Sequence, residues 1–174
     1  MKNLFIVIFI LLFSCSEKNQ KNSKSIHSYV DNVIGGNPLR IEITKNEKPS
    51  INIESDSLYK SNEGNTKLFG AVYADLFNDK GTKQSAVFSD SAIIYSKSDS
   101  MKALGNVVVE SVKGFKLHAH AIVLYNDTKL VKADDNIMFT SKDGDTLYGK
   151  GFWSNFDMSS TKILKPIGFI GDFQ

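Results

Sequence analysis

Apolar and polar side chains alternate along most of this chain after residue 38. From residue 106 to 111, and again from 117 to 121, the character of the side chain changes at every second residue. This period of two is typical of β-strands with one face turned toward a core. The helical period of three to four is not sustained anywhere after residue 38. The pattern therefore predicts an all-β protein.

Ten strands follow from this alternation and from the turn residues between them. Their predicted bounds are 39–44, 50–59, 67–77, 83–95, 101–110, 116–125, 129–133, 137–140, 145–153 and 162–168. The three prolines, Pro38, Pro49 and Pro166, each fall at the edge of a strand, where the missing backbone N–H is tolerated. Residues 26–36 are expected to form a short helix or turn before the sheet begins.

A repeat of thirty residues runs through the second half of the chain. Nine positions recur in kind at this spacing: Tyr95, Ala103, Asn106, Val107, Val109, Gly114, Leu117, Ala119 and Ala121 correspond to Tyr125, Ala133, Asn136, Ile137, Phe139, Gly144, Leu147, Gly149 and Gly151. A fixed period of this length indicates stacked units that share one core, because one unit cannot bury its apolar face alone. Gly114 and Gly144 lie where hairpins must reverse. The repeat predicts that function lies on a long shared surface.

The first fifteen residues read as an export signal. Lys2 precedes an unbroken apolar run of ten residues, 4–13, which as a helix is only about 15 Å long against a hydrocarbon core of roughly 30 Å. The run and the following Ser14-Cys15 resemble a bacterial lipoprotein signal, in which the cysteine receives diacylglycerol and becomes the new N-terminus. Cys15 is the only cysteine, so the chain has no internal disulfide. We predict a signal peptide at 1–14, a lipid-anchored tether and lead-in at 15–38, and one β-domain at 39–174.

Charge adds little to this picture. The chain carries 21 Lys and Arg against 19 Asp and Glu, and loss of residues 1–14 removes only Lys2 and leaves a net charge of +1. This balance does not call for a nucleic-acid partner. Residues 16–25 contain no apolar side chain and are expected to be a solvated tether.

Three segments carry a specific resemblance. Residues 105–109, the following Gly114-x-x-Leu117, and residues 147–157 look like the OstA-type repeats of lipopolysaccharide transport proteins. Together with the strands at 83–95 and 163–168, they are most similar to the LptC family, and the resemblance covers about residues 39–171.

The resemblance implies a twisted, partly open antiparallel β-jellyroll with two facing sheets. It implies a periplasmic, non-enzymatic component of lipopolysaccharide export that holds the acyl chains of the lipid between the sheets and needs no cofactor. The implied partners are lipopolysaccharide, neighbouring LptA-like jellyrolls and the inner-membrane export ABC transporter. The family usually has a transmembrane anchor, whereas this chain is expected to be held at the inner membrane by lipidated Cys15.

Two sets of residues are candidates for this role. An acyl-chain conduit needs apolar side chains on the inner faces of the sheets. The predicted inward set is Ile51, Ile53, Val72, Ala74, Val107, Val109, Leu117, Ala119, Val123, Ile137, Phe139, Leu147, Gly149 and Ile163. Unpaired edge strands invite pairing with another chain, and the terminal strands provide such edges. The predicted partner edge comprises Ile163, Leu164, Lys165, Ile167 and Phe169, and the strand at 39–44 forms the opposite edge.

Pairs of histidine and aspartate residues are the other candidate sites in the sequence. His118 and His120 lie two apart on a strand, a spacing that can ligate Zn²⁺, although the site would need a third ligand and both can equally be solvated. Asp134-Asp135 and Asp143-Gly144-Asp145 have carboxylates that can bind Ca²⁺, but both fall in expected turns, where Asp is common for local hydrogen bonding. No nucleophile elbow or phosphate loop is present. The alternative to lipid transport is a lipoprotein with a β-groove that binds or processes glycans.

Overall fold

The computed structural model describes residues 33–62 and 64–167, which form one antiparallel sheet. Its strands are β1 (Val33–Lys45), β2 (Lys48–Lys60), β3 (Thr66–Phe77), β4 (Lys83–Tyr95), β5 (Ser100–Ser111), β6 (Lys116–Tyr125), β7 (Leu130–Thr140), β8 (Thr146–Asn155) and β9 (Thr161–Ile167). Each strand pairs with the next along the chain, in the order β1 to β9. The predicted all-β, open jellyroll class is confirmed, and no described segment is a helix long and apolar enough to span a membrane.

Three details differ from the sequence-based expectation. The sheet begins at Val33, so Val33–Gly36 is strand instead of helix or turn, whereas residues 26–32 lie outside the described part. The predicted strands 129–133 and 137–140 are one strand, β7, interrupted by a register shift between Ala133 and Asn136. The two facing sheets are two parts of one continuous sheet.

A line of β-bulges crosses the sheet at mid-strand and divides it. The register shifts between Glu54 and Ser57 in β2, and at corresponding points of the pairs that follow, as far as β7 with β8. We call the part containing residues 39–54, 72–88, 107–119 and 136–149 the first half-sheet. The part containing residues 33–35, 57–69, 91–104, 122–133 and 152–163 is the second half-sheet. Bulges bend strands and increase their twist, so the line acts as a crease.

The two half-sheets fold toward each other across one core. The rings of Phe139, in the first half-sheet, and Phe152, in the second, have centroids 5.6 Å apart. The Ser111 hydroxyl, at the end of β5 in the first half-sheet, donates to the Asp157 carbonyl, in the β8–β9 turn of the second, at 2.6 Å. The buried apolar side chains of both half-sheets form a single cluster. The sheet therefore provides its own two layers, and the outer face of each half-sheet is turned away from the core.

Candidate lipid-binding groove and sheet edges

The structure places most of the predicted inward residues in the core. Nine of them are buried members of the single cluster: Ile51, Ile53, Val72, Ala74, Val107, Val109, Leu117, Ile137 and Phe139. Ala119 and Ile163 are partly buried and pack against this cluster. Gly149 is buried, and a Cβ at this position would lie 2.3 Å from the Ile163 Cγ2 atom. A glycine is therefore required where β9 crosses this point of β8.

Two predicted inward residues are not buried in the core. Val123 points to the outer face, where its register neighbours are Lys102 and Lys132, because the register shift between Ala119 and Val123 reverses the alternation of β6. Ile122 and Leu124 are buried instead. Leu147 pairs with Phe139 and so belongs to the inner face, but its side chain is 49% exposed.

Sequence reasoning missed a second group of core residues. These are mainly large side chains that the alternation did not identify: Leu68, Leu76, Met101, Ile122, Leu124, Val131, Phe152, Phe156 and Met158. Several follow a bulge, and Phe156 and Met158 belong to the β8–β9 turn. Their bulk fills the space between the half-sheets, which the smaller predicted set would have left open. Along most of its length the interior is a packed core.

An apolar groove remains between the half-sheets beside β1 and β2. It has a volume of about 320 Å³, at the lower end of the range of ligand sites. Its apolar lining comes from both half-sheets: Ile41, Ile43, Ile51, Ile94 and Met101. Its polar lining includes Thr66, Ser96, Asp99, Ser100 and Asn126. The groove thus joins a surface rim of polar groups to the packed interior.

A buried polar cluster forms one side of this groove. The Ser50 hydroxyl donates to Asn126 Oδ1 at 2.5 Å, and Asn126 Nδ2 donates to both oxygens of Asp99 at 3.0 and 3.1 Å. Lys129 Nζ donates to the same Asn126 oxygen at 3.0 Å and to the Ser50 hydroxyl. Burial lowers the pKa of the Lys129 ammonium, against the opposing attraction of Asp79 and Asp99. Because Ser50 belongs to the first half-sheet and Asn126 to a turn of the second, the cluster fixes the distance between them.

The outer sides of β1 and β9 are unpaired within the described chain. On β9, Leu164 and Ile167 are 51% and 62% exposed, Lys165 is exposed, and Ile163 is partly buried. Phe169, the last predicted edge residue, lies outside the described residues. On β1, Ile34 is 56% exposed. Both terminal strands therefore keep backbone groups available for a further strand.

The candidate metal ligands do not converge. Across residues 33–62 and 64–167, no group of three or more His, Asp or Glu side chains is placed to hold a metal ion. His118 is partly exposed and His120 is exposed. Asp134 pairs with Lys132 at 2.9 Å. In the β7–β8 turn, the backbone N–H groups of Asp143 and Asp145 donate to the Ser141 hydroxyl at 3.3 and 3.2 Å, as local turn bonding predicts.

The comparison with protein families gives one match, to the family described as "Lipopolysaccharide-assembly, LptC-related", over residues 3–167. This span includes the entire sheet and the whole N-terminal apolar run. The comparison with curated proteins returned no match. Proteins of this family are transport components of the periplasm associated with the inner membrane, and the family is not an enzyme family. Since the match covers nearly the whole chain and agrees with the open antiparallel sheet, the chain belongs to the LptC-related family of lipopolysaccharide-assembly proteins.

Proposed function

We propose that this protein is a membrane-anchored periplasmic carrier that takes acyl chains of lipopolysaccharide between its half-sheets and passes them to the next jellyroll. Membership of the family supports a role in lipopolysaccharide export. The observation that carries the finer proposal is the apolar groove between Ile43 on β1 and Ile94 on β4. In this groove an alkyl chain can leave water while the polar head of the lipid remains at a hydrophilic rim.

The anchor and the partners complete the proposal. Cys15, if lipidated, holds the domain at the inner membrane beside the export ABC transporter. The exposed edge of β9 then offers Leu164, Lys165 and Ile167 to a strand of an LptA-like jellyroll. In this arrangement the protein receives lipid on the membrane side and delivers it along a continuous row of sheets.

Photocrosslinking tests the carrier role at the groove. Benzoylphenylalanine at Ile94 should crosslink to lipopolysaccharide in cells, whereas the same group at Val112, 60% exposed on the β5–β6 turn, should not. Adding Ile43→Asp to the Ile94 probe should reduce the crosslink at least fivefold, because a carboxylate beside an alkyl chain loses hydration without gaining a partner. Thr44→Asp, on the exposed neighbour in β1, is the matched control.

Equal crosslinking in the Ile43→Asp and Thr44→Asp proteins would contradict the carrier role. The groove is a better place for this test than Val109 or Phe139, which are 0% and 6% exposed. A carboxylate at either core position has an effective desolvation penalty of several kcal/mol and should unfold the domain. A variant that unfolds says nothing about lipid.

Glycan binding is the second candidate, and one observation favours it. A groove of about 400 Å³ on the outer face of β1–β3 is lined by Arg40, Glu42, Asn52, Glu54, Tyr73 and Asp75. The buried Asn52 Oδ1 has no hydrogen-bond partner in the described chain. Binding of delipidated lipopolysaccharide polysaccharide that Asn52→Ala abolishes, with no lipid crosslink at Ile94, would place this candidate first.

A further inference from the structure

One row of side chains crosses the outer face of the second half-sheet from β2 to β9. Backbone register places eight residues side by side in this row: Tyr59, Lys67, Ile93, Lys102, Val123, Lys132, Trp153 and Lys162. Their neighbours along each strand, such as Leu68, Ala103 and Phe152, are buried, so the row is turned away from the core. We call these eight residues the lysine row. A lysine stands on every second strand, and an aromatic or β-branched residue stands between.

The spacing of the lysine row suits a broad surface more than a small ligand. Neighbouring strands lie about 4.8 Å apart, so the lysines are separated by roughly 10 Å and together span about 29 Å. Lys132 pairs with Asp134 at 2.9 Å. The other three lysines form no ion pair with any described residue. Four cations distributed over this distance cannot converge on one soluble anion, but they can contact many anionic groups in a plane.

The rows on either side carry one negative charge, at Asp134, two residues along β7 from Lys132. One contains Ser57, Phe69, Ser91, Leu104 and Ala121, and the other contains Tyr95, Ser100, Tyr125, Leu130 and Asn155. On the outer face of the first half-sheet the charges are mixed, since Glu54, Asp75 and Glu110 form ion pairs with Arg40, Lys83 and Lys116, and Glu42 also lies there. The two outer faces of the folded sheet therefore differ in charge.

Trp153 and the tyrosines give this face a second property. Trp153 is 39% exposed in the lysine row, and Tyr59 is partly exposed. Indole and phenol rings have an apolar body and a polar edge, and they favour the boundary between lipid headgroups and water. Lysines beside such rings are attracted to anionic lipids. The combination is typical of surfaces that rest on a bilayer.

The N-terminal segment joins the sheet at the end of this same row. Val33, the first described residue, is the register partner of Tyr59. Residues 16–32 lie between Val33 and Cys15, and seventeen residues span at most about 60 Å when extended. A lipid anchor at Cys15 therefore keeps the lysine row within reach of the membrane that holds the anchor.

We propose that the lysine row is a membrane-docking face that lays the second half-sheet on an anionic bilayer surface. This inference rests on the proposed anchor for its proximity to the membrane, but not on acyl-chain binding in the groove. Docking would fix the orientation of the domain, with the crease and the first half-sheet turned away from the lipid. The edge strand β9 would then lie parallel to the bilayer plane.

The single tryptophan of the chain reports directly on this contact. The full-length protein is reconstituted into vesicles of phosphatidylcholine alone or with 30% phosphatidylglycerol, each containing brominated lipid as a quencher. Trp153 fluorescence should be quenched strongly in the anionic vesicles and weakly in the neutral ones. In about 1 M NaCl, where the screening length is roughly 3 Å, the difference should largely disappear.

Charge-removing variants separate the lysine row from overall charge. Replacing Lys67, Lys102, Lys132 and Lys162 by Gln should remove the anionic-lipid-dependent quenching, and the pairs Lys67→Gln with Lys162→Gln and Lys102→Gln with Lys132→Gln should each reduce it. The matched control replaces Lys48, Lys80, Lys116 and Lys142, four lysines outside the row, by Gln. This control should be quenched like the wild type.

Several outcomes would overturn the proposal. These are equal quenching in neutral and anionic vesicles, quenching in neither, an unchanged signal in the fourfold row variant, or release of Trp153 by millimolar inorganic phosphate at constant ionic strength. The wild-type comparison is decisive even if the fourfold variant does not fold. Failure of the carrier role is recognised separately, as loss of the Ile94 crosslink with Trp153 still quenched.

Discussion

At the scale of single residues, Asp157 joins the two half-sheets on the side away from the groove. Its carboxylate forms an ion pair with Lys113 at 2.7 Å and accepts from Ser159, while its carbonyl accepts from the Ser111 hydroxyl. Burial would raise the pKa of the Asp157 carboxyl, but the hydrogen bonds from Lys113 and Ser159 outweigh it and lower this pKa to about 2. Asp157 therefore stabilises the folded state in its charged form.

The lowered pKa makes a prediction about acid stability. Because the folded pKa lies below the ordinary value of 3.8, the stabilisation is present above about pH 4 and is lost as the pH falls toward 2. We expect the wild type to lose on the order of 1–2 kcal/mol more unfolding free energy between pH 5 and 2 than Asp157→Asn does.

Urea denaturation at pH 5, 3 and 2 measures this difference. Asp143→Asn, in the exposed β7–β8 turn, should follow the wild type across the series. Parallel pH profiles for the wild type and Asp157→Asn would contradict the prediction.

At the scale of elements, the crease depends on glycines with positive φ. Gly70 and Gly105 have φ values of 72° and 76°, and each is followed by a residue that also has positive φ. A Cβ on Gly105 would lie 2.3 Å from Asp90 Oδ2, and a Cβ on Gly70 would lie 2.2 Å from Asp56 Oδ2. The same arrangement thus recurs on alternate strand pairs. Because the glycine has no Cβ, the carboxylate of one strand can lie over the bulge of the next.

We predict that Gly105→Ala destabilises the sheet more than an equally strained glycine elsewhere. Gly144 has a φ of 93° in a hairpin turn, and a Cβ there meets no atom within 4 Å. Gly144→Ala should cost about 1 kcal/mol of unfolding free energy through its backbone conformation alone. Gly105→Ala should cost about 2–4 kcal/mol, because the clash with Asp90 is added.

Thermal and urea unfolding of both variants provide the measurement. Adding Asp90→Ala to Gly105→Ala should recover part of the loss, because the carboxylate is the closest contact of the new Cβ. Similar costs for Gly105→Ala and Gly144→Ala would show that the crease tolerates a side chain.

At the scale of the whole molecule, the open sheet leaves two terminal strands that differ in surroundings. β9 packs closely on β8 because Gly149 and Gly151 lie beneath Ile163 and Leu164. Its outer side carries exposed apolar groups at Leu164 and Ile167. Soluble proteins usually protect such an edge with charge or cover it. Lys162, Lys165 and Pro166 also lie on β9, so the proposed pairing to a neighbouring jellyroll rests on the exposed Leu164 and Ile167.

The edge proposal predicts the effect of two different changes. Deletion of residues 165–174 should abolish copurification of an LptA-like jellyroll protein from the same export system. The double variant Leu164→Lys with Ile167→Lys should do the same, because edge lysines oppose strand pairing and both side chains are already exposed. Ile34→Lys on the opposite edge should leave this interaction intact, and circular dichroism confirms that each variant is folded. Copurification with the folded double-lysine variant would remove the assignment.

Much of the fold follows from the sequence because it depends on local chemistry. Alternation identified the strands, and glycines at 114 and 144 identified the hairpins between them. The thirty-residue repeat contained more information than the strand assignment used. It places Lys102, Lys132 and Lys162, and also Ile93, Val123 and Trp153, at equal spacings, so that a two-strand period brings each set into the lysine row.

The tertiary structure decided which side chains are buried, because alternation alone does not show where a strand changes face. The register shifts on both sides of β6, where β5 and β7 each contain one extra residue, accompany a reversal of the alternation in β6, so that Val123 lies outside and Ile122 and Leu124 lie in the core. Leu117 and Leu147 occupy equivalent repeat positions, yet Leu117 is 0% exposed and Leu147 is 49% exposed. Leu117 lies on β6, well inside the sheet, whereas Leu147 lies on β8, next to the terminal strand β9. The sequence thus determined most of the strands and the hairpins between them, and the folding of the sheet at its crease determined which side chains form the core, the groove and the outer faces.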